Sequence, residues 1–215
     1  MQLYYYEHCP FCAKVRLLSG LKNIPLSLQV VLADDVDTSV SLVGRKVVPV
    51  LVKADGSAMA ESMDIVRYLD AVNGQPLLTG RVDPTIGEWI TSLRSFLKHL
   101  TYPRFARYPF AELATASARA AYVQKETSVI GDLDDNFRRS SEWLPLLNAS
   151  LAHLDTLLVT PWACNGDFSN DDVDLFVFLR NASIVKGAIW PIKVRNYLIS
   201  LSARSQVPHY FDSAL

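Results

Sequence analysis

At 215 residues the chain is worth about 1.4 domains of roughly 150 residues each, so one large unit or two modest ones fit. Half of the residues are hydrophobic and a fifth are charged, which places the chain among compact globular proteins and excludes extended disorder. With 21 basic against 22 acidic side chains, and 7 against 8 within residues 1–75, no basic excess exists to hold a polyanion, which argues against nucleic acid as a partner.

In chain order, the β-forming types at 2–6 (Gln-Leu-Tyr-Tyr-Tyr) read as a strand. Cys9-Pro10-Phe11-Cys12 then opens a segment with apolar residues at Phe11, Val15, Leu18 and Leu21, the spacing of a helix that runs out at Asn23 and Pro25; Pro10 fits its first turn. A second strand is expected over 26–32 and a short helix over 38–43, ended by Gly44. Val47-Val48-Pro49-Val50-Leu51-Val52 is the strongest strand signal, although its proline removes a ladder donor. Asp55-Gly56 marks a turn, 58–60 a short strand, and 62–72 a helix closed at Asn73-Gly74. The first unit is therefore β-α-β-α-β-β-α over residues 1–75.

Residues 76–84, with Pro76, Gly80 and Pro84, read as a linker, and 85–215 as all-helical. Helices are expected near 85–100, 116–130, 141–158, 171–186 and 192–203, broken by Pro103, Pro109, Pro161, Gly166 and Pro191. Pro145 marks a first turn or a kink. Ser169-Asn170-Asp171-Asp172 outlines a capping box with aspartate in place of the usual Glu or Gln. The start lacks the basic and apolar regions of a signal peptide, and no apolar run approaches the roughly 18 residues of a membrane span. A cytoplasmic protein with no membrane partner is expected.

Three cysteines form no disulfide framework, and two close ones in a reducing compartment suggest metal or redox chemistry. A C-x-x-C between a strand and a helix puts Cys9 at the helix N-terminus, where unpaired N–H groups favour the thiolate. Lowering a thiol pKa from near 8.5 to roughly 5.5 takes about 4 kcal/mol. The helix end supplies up to about 2 kcal/mol, leaving the rest to hydrogen bonds and to cations such as Lys14 or Arg16 if they reach back. Cys12 lies one turn below, so an exposed Cys9 attacks and a more buried Cys12 resolves. As a staple the motif is poor, since a four-residue loop contributes only about 2 kcal/mol. As a zinc site it lacks partners, because His8, His99, His153, His209 and Cys164 stand in no paired spacing; no metal is expected.

Two further places suit a peptide groove. Val48-Pro49 is where a cis bond turns the Val48 backbone outward for strand-like pairing, with an ordinary edge-strand proline as the equal alternative. Glu61-Ser62, ahead of a helix, offers amides, a hydroxyl and a carboxylate to a γ-glutamyl end, with a plain cap as the alternative.

In this order, Cys9-Pro10-Phe11-Cys12 after a tyrosine-rich strand, Val47-Val48-Pro49 and Glu61-Ser62-Met63-Asp64 resemble the thioredoxin-fold glutathione-binding domain of the glutaredoxins. With Gly20-Leu21-Lys22-Asn23-Ile24-Pro25, Pro76-Leu77-Leu78-Thr79-Gly80 and Leu179-Arg180-Asn181, the whole chain is similar to the two-domain glutaredoxin 2 family of bacteria. The resemblance implies a thioredoxin-like α/β domain followed by a glutathione-transferase-like all-α domain. It implies a glutathione-dependent thiol-disulfide oxidoreductase with Cys9 as nucleophile and Cys12 as resolving thiol. Phe11, which replaces a more usual tyrosine, with Val48, Pro49, Glu61 and Ser62, would contact glutathione. Glutathione is then a co-substrate, with no tightly bound organic cofactor, and the partners are disulfide-containing or glutathionylated proteins. A monomer is expected, because the two domains can bury a shared interface. Arg104 and Arg107 read as surface charge beside a helix end, with a place in the cleft wall as the alternative. Cys164 reads as a partly buried apolar residue and His8 as a loop residue. Two rivals are a transferase conjugating glutathione to electrophiles and a non-catalytic binding module.

Overall fold

The computed structural model describes residues 1–72 and 74–215. In β1 (Gln2–Tyr5) every second side chain, Leu3 and Tyr5, is buried, as the two-residue period of a strand requires. β2 (Ser27–Val30) runs parallel to it with Leu3 beside Leu28, and its four exposed residues mark the sheet edge. On the other side β3 (Val50–Val52) runs antiparallel, Leu3 facing Leu51, and β4 (Ala58–Met59) completes the order β2-β1-β3-β4.

The strand expected over 47–52 is shorter than its sequence suggests. The Val48–Pro49 bond is cis, the ladder begins only at Val50, and the Val47 N–H donates to Ser39 Oγ (3.2 Å) instead of to a strand. α2 (Asp37–Val43) ends as expected at Gly44, whose φ of 75° suits a residue without Cβ and whose N–H donates to the Val40 carbonyl (2.8 Å). α3 (Ser62–Val72) follows β4; of its expected closure at Asn73-Gly74, Asn73 lies outside the described residues.

α1 (Pro10–Leu21) decides how the two halves meet. Cys12, Ala13, Lys14, Val15, Leu17, Leu18 and Ser19 are all buried, more than one face of a helix can hold. It is covered from both sides, by α3 of its own half and by α8 (Asn170–Ala182) and α9 (Ile192–Ser205) of the helical half. Lys14 pairs with Asp174 of α8.

The other helices are α4 (Pro84–Arg107), α5 (Ala116–Ile130), α6 (Leu133–Arg138) and α7 (Ser140–Leu157), with single 3₁₀ turns at Ala111–Leu113 and Phe211–Ser213. Asp83 caps α4 by accepting the Thr85 N–H (2.8 Å), with Pro84 in the first helical position. Pro103 does not end α4. The Arg104 guanidinium donates to the Leu100 carbonyl (2.7 Å) and Arg107 to that of Pro103 (2.6 Å), so side chains beyond the proline hold the main chain on either side of it. α6 was not expected, although Gly131 at positive φ followed by Asp132, which accepts the Asp135 N–H (2.7 Å), is a stop signal followed by a start signal. Pro145 lies at the sixth residue of α7, beyond the first turn. The capping box at α8 is present: Ser169 caps the helix, and Asp172 accepts the Ser169 N–H (2.8 Å), the Cys164 N–H (2.6 Å) and the Tyr197 hydroxyl (2.7 Å). The helix stops at Ala182, short of the expected 186.

The stretch between α3 and α4 is tied down at both ends. The Leu77 and Leu78 N–H groups donate to the Asp70 carboxylate (2.8 and 3.2 Å), and the Gly80 N–H donates to the Phe168 carbonyl (2.9 Å).

A Cβ on Gly20 of α1 would strike the Ser205 backbone at the end of α9, and backbone cannot step aside as a flexible side chain can. Gly20→Ala is expected to cost about 1–3 kcal/mol and lower Tm by roughly 2–12 °C in a thermal melt. An unchanged Tm would mean that α1 and α9 do not meet there.

Candidate active site

Cys9 ends the loop that leaves β1. Its extended backbone (φ −69°, ψ 122°) makes it the N-cap of α1, its carbonyl accepts the Ala13 N–H (3.0 Å), and its Sγ accepts the Cys12 N–H (3.5 Å). No acidic residue stands in the first turn to oppose a negative sulfur. The sulfur is less open than expected: Cys9 is 8% exposed and Cys12 fully buried. Access to Cys9 is through a cavity of about 1030 Å³ between the halves. Tyr6, Cys9, Phe11 and Val48 line one wall, and α4 and α5 supply the other through residues such as Arg94, Tyr102 and Tyr122.

The hydrogen bond from the Cys12 thiol is the largest influence on Cys9. With the Cys12 and Phe11 backbone N–H groups and the charge of His8, it outweighs burial and brings the Cys9 pKa from 9.0 down to about 7. A drop of that size corresponds to about 3 kcal/mol of preference for the thiolate. Cys12 moves the other way: burial, its hydrogen bond to Cys9 and the Cys9 charge all push its thiol up. The pair is therefore divided into a nucleophile ready near neutrality and a thiol that keeps its proton.

Lys14 and Arg16, which could help only by reaching back, are engaged elsewhere. Lys14 is engaged by Asp174, and Arg16 donates to Glu7 Oε2 (2.7 Å). Of the nearby basic groups it is His8 that lowers the Cys9 thiol, and it is more than a loop residue. Its Nδ1 lies 2.6 Å from Glu112 Oε1, its backbone N–H donates to the same oxygen (3.0 Å), and its ring sits among Tyr6, Phe105, Phe110 and Tyr122 at centroid distances of 5.1–5.7 Å. Glu112 is 104 residues further along the chain, and nothing in local spacing connects the two. Burial would raise the Glu112 carboxyl, but the hydrogen bonds and charge of His8 prevail and lower it. Glu7, the residue before His8, is held by the fully buried Arg180 of α8. This side chain donates to the Glu7 carbonyl (2.9 Å) and carboxylate (2.5 Å) and to the Pro208 carbonyl (2.8 Å).

The expected glutathione contacts divide. Phe11, 43% exposed, and Val48 line the cavity beside Cys9. Pro49 is buried next to Val48. Glu61 and Ser62 lie at the start of α3, outside the cavity lining. Glu61 has φ 69°, and its exposed carboxylate pairs with Arg45 (2.5 Å); Ser62 is buried. Two readings from the helical half are corrected. Arg104 is neither surface charge nor cavity wall: it is 4% exposed and donates to the Leu215 and Leu100 carbonyls (2.8 and 2.7 Å) and to Ser140 Oγ (3.1 Å). Arg107, by contrast, is surface charge at the end of α4 as expected, paired with Asp134 and outside the cavity lining. Cys164 is fully buried, and burial, with Asp172 beside it, pushes its thiol well up. Among the described residues no three His, Cys, Asp or Glu side chains gather as a metal site, and no helix is long and apolar enough to cross a membrane.

Comparison with known proteins shows the family. Residues 85–214 match the family model described as the glutaredoxin 2 C-terminal domain, and 3–76 match the glutathione S-transferase N-terminal domain. Glutaredoxin 2 of Escherichia coli K12 is 42% identical over 207 residues, 96% of each chain. The chain belongs to the glutaredoxin 2 family. A crystal structure of glutaredoxin 2 from Salmonella typhimurium in complex with glutathione superposes with a TM-score of 0.98 at 40% identity, covering 100% of this chain and 98% of that one. Gtt2 of Saccharomyces cerevisiae, at 22% identity and TM-score 0.56 over the full length of both chains, shares the fold alone. As a member of the glutaredoxin 2 family, the chain joins a thioredoxin-like α/β half to an all-helical half of glutathione-transferase type.

Limited iodoacetamide treatment of the native, reduced protein at neutral pH should label Cys9 alone on peptide mapping, with Cys12 and Cys164 reacting only after denaturation. Equal labelling of Cys12 would contradict the assigned division of the pair.

Proposed function

We propose that this member of the glutaredoxin 2 family is a glutathione-dependent thiol-disulfide oxidoreductase acting through a Cys9/Cys12 dithiol. One observation carries the reading: the Cys9 sulfur, lowered to about pKa 7, opens on a cavity, while Cys12 is held protonated beneath it. Residues 1–75 would carry the reacting thiols, 76–84 the connection, and 85–215 the far wall of the cleft.

The Cys9 thiolate attacks one sulfur of a protein disulfide, forming a mixed disulfide and expelling the other sulfur as a thiolate that takes up a proton. Cys12 then gives up its proton and attacks Cys9 Sγ, which releases the second substrate thiol and leaves a Cys9–Cys12 disulfide. One glutathione thiolate attacks Cys9 Sγ and frees Cys12. A second removes the first as glutathione disulfide, so two electrons pass from two glutathiones to one substrate disulfide. Where the substrate is a glutathionylated protein, Cys9 takes the glutathione and a second glutathione clears it without Cys12. In the groove, the Val48 backbone beside cis-Pro49 would pair with glutathione as an added strand does, Phe11 would pack on it, and Glu61 and Ser62 would meet its γ-glutamyl end. The Salmonella glutaredoxin 2 complex with glutathione supports that occupant. The protein partners would be disulfide-containing or glutathionylated proteins of the cytoplasm, met by a monomer.

Cys9→Ser should abolish both activities, whereas Cys12→Ser should lose reduction of protein disulfides and keep reduction of glutathione mixed disulfides. Equal loss in both variants would refute the roles. The same preparations should turn over hydroxyethyl disulfide and not a chloronitrobenzene; the reverse would mark a transferase, whose bound glutathione thiolate must stay free.

A further inference from the structure

Glu112 belongs to the short turn Ala111–Leu113 between α4 and α5, in the helical half, yet its polar atoms are spent on the other half. Its carbonyl accepts the Ala33 N–H (2.9 Å), and its Oε1 accepts both the backbone N–H of His8 (3.0 Å) and a bond from Nδ1 of the same residue (2.6 Å). The side chain is fully buried, and Oε2 has no hydrogen-bond partner. A carboxylate so placed is costly to bury unless a positive charge faces it. The ion-pair partner found for it among the described residues is His8, whose side chain is 12% exposed.

Of the groups around the pair, the imidazole is the basic one in contact with Glu112; Lys46, Arg94, Lys98 and Lys125 line the same cavity. Tyr6 on β1 is pushed up to about 12 by burial, and Tyr122 on α5 and Tyr210 are likewise raised, so all three stay neutral. Glu126 on α5 faces Lys125 (3.1 Å). Arg16 on α1 and Arg180 on α8 are both committed to Glu7. Phe105 and Phe110 are apolar walls. Cys9, the next residue in the chain, shares the cavity with His8, and Cys12 lies below it.

We propose that Glu112 is a positioning residue for the Cys9 thiolate: its buried carboxylate fixes the His8 ring through Nδ1–H and so holds the imidazole beside the reacting sulfur. The helical half thereby contributes to the reactivity of a motif that lies wholly in the other half. This rests on the reading of Cys9 as nucleophile, but its test does not share that reading's outcome.

The direction of a shift separates the possibilities. A carboxylate acting directly on a nearby sulfur opposes the thiolate, so its removal would make Cys9 easier to ionise. Acting through His8, it supports the thiolate, so its removal makes Cys9 harder to ionise. Glu112→Gln keeps shape and an acceptor oxygen but removes the charge. The pH midpoint of Cys9 alkylation is expected to rise by about one unit, a loss of about tenfold in alkylation rate at pH 6. His8→Gln is expected to give a similar rise, and the double variant no more than either single one, because the two act as a unit. A midpoint that falls or stays put in Glu112→Gln, or single-variant shifts that simply add, would overturn the proposal while leaving Cys9 as nucleophile. If Glu112→Gln does not fold, His8→Gln, which retains Glu112, still decides by its own midpoint. Nitrogen NMR of the unmodified protein gives a third readout: a hydrogen-bonded Nδ1–H on His8 at neutral pH is expected, and a ring protonated only at Nε2 would refute it.

Discussion

Arg180, fully buried on α8, holds the segment that delivers Cys9 to its place. Its guanidinium donates to the Glu7 carbonyl and carboxylate and to the Pro208 carbonyl, and lies 4.5 Å from the Tyr210 ring centroid. All of these are strong partners for a planar, permanently charged group, and together they compensate its loss of water. With Glu7 fixed from the helical half and α1 enclosed by α3 on one side and α8 and α9 on the other, the first turn of α1 has little freedom. The orphan N–H groups of that turn are what a thiolate needs, and they serve it only if the sulfur is held over them. Packing between the halves thus becomes a condition of the chemistry at Cys9.

The same packing sets how far the thiolate can be favoured. Enclosure under the cavity wall opposes the charged sulfur, while the Cys12 thiol, two backbone N–H groups and His8 support it. Support prevails by about 3 kcal/mol, less than the 4 kcal/mol that a fully ionised thiol would take. A midpoint near neutrality has its own advantage: basicity and nucleophilicity fall together, so an attacking thiol is most effective when its pKa lies near the ambient pH. Burial of Cys12 is the complement, since a resolving thiol that remained ionised would repel the Cys9 charge before any substrate arrived.

Much of this could be read in the sequence where the signal is local. The motif Cys9-Pro10-Phe11-Cys12 placed the N-cap and first helical position correctly, Gly44 ended α2, and Ser169 with Asp172 formed the cap anticipated for α8. The Val48–Pro49 bond, equally readable as an ordinary edge proline, is cis. What escaped depends on contacts distant along the chain. Pro103 carries a strong breaking signal, yet α4 runs through it to Arg107, whose guanidinium and that of Arg104 donate to the Pro103 and Leu100 carbonyls. His8 beside the motif looked like loop because its partner comes from the turn after α4, and Arg104 looked like surface because its acceptors lie on Leu215 and Ser140. The enclosure of Cys9 was equally hidden, since the covering wall belongs to α4 and α5. Only α6 was missed with a local signal in view, in Gly131 and Asp132.

The central claim is that one sulfur in the folded protein is negative near neutrality because of where it is held. Ultraviolet thiolate absorbance followed across pH, in the reduced protein and in Cys9→Ser, measures this without any substrate. A single thiolate appearing with a midpoint of about 7, absent from Cys9→Ser, is the predicted result. A first thiolate appearing only at the pH of a free cysteine, or one that persists when Cys9 is replaced, would contradict the account.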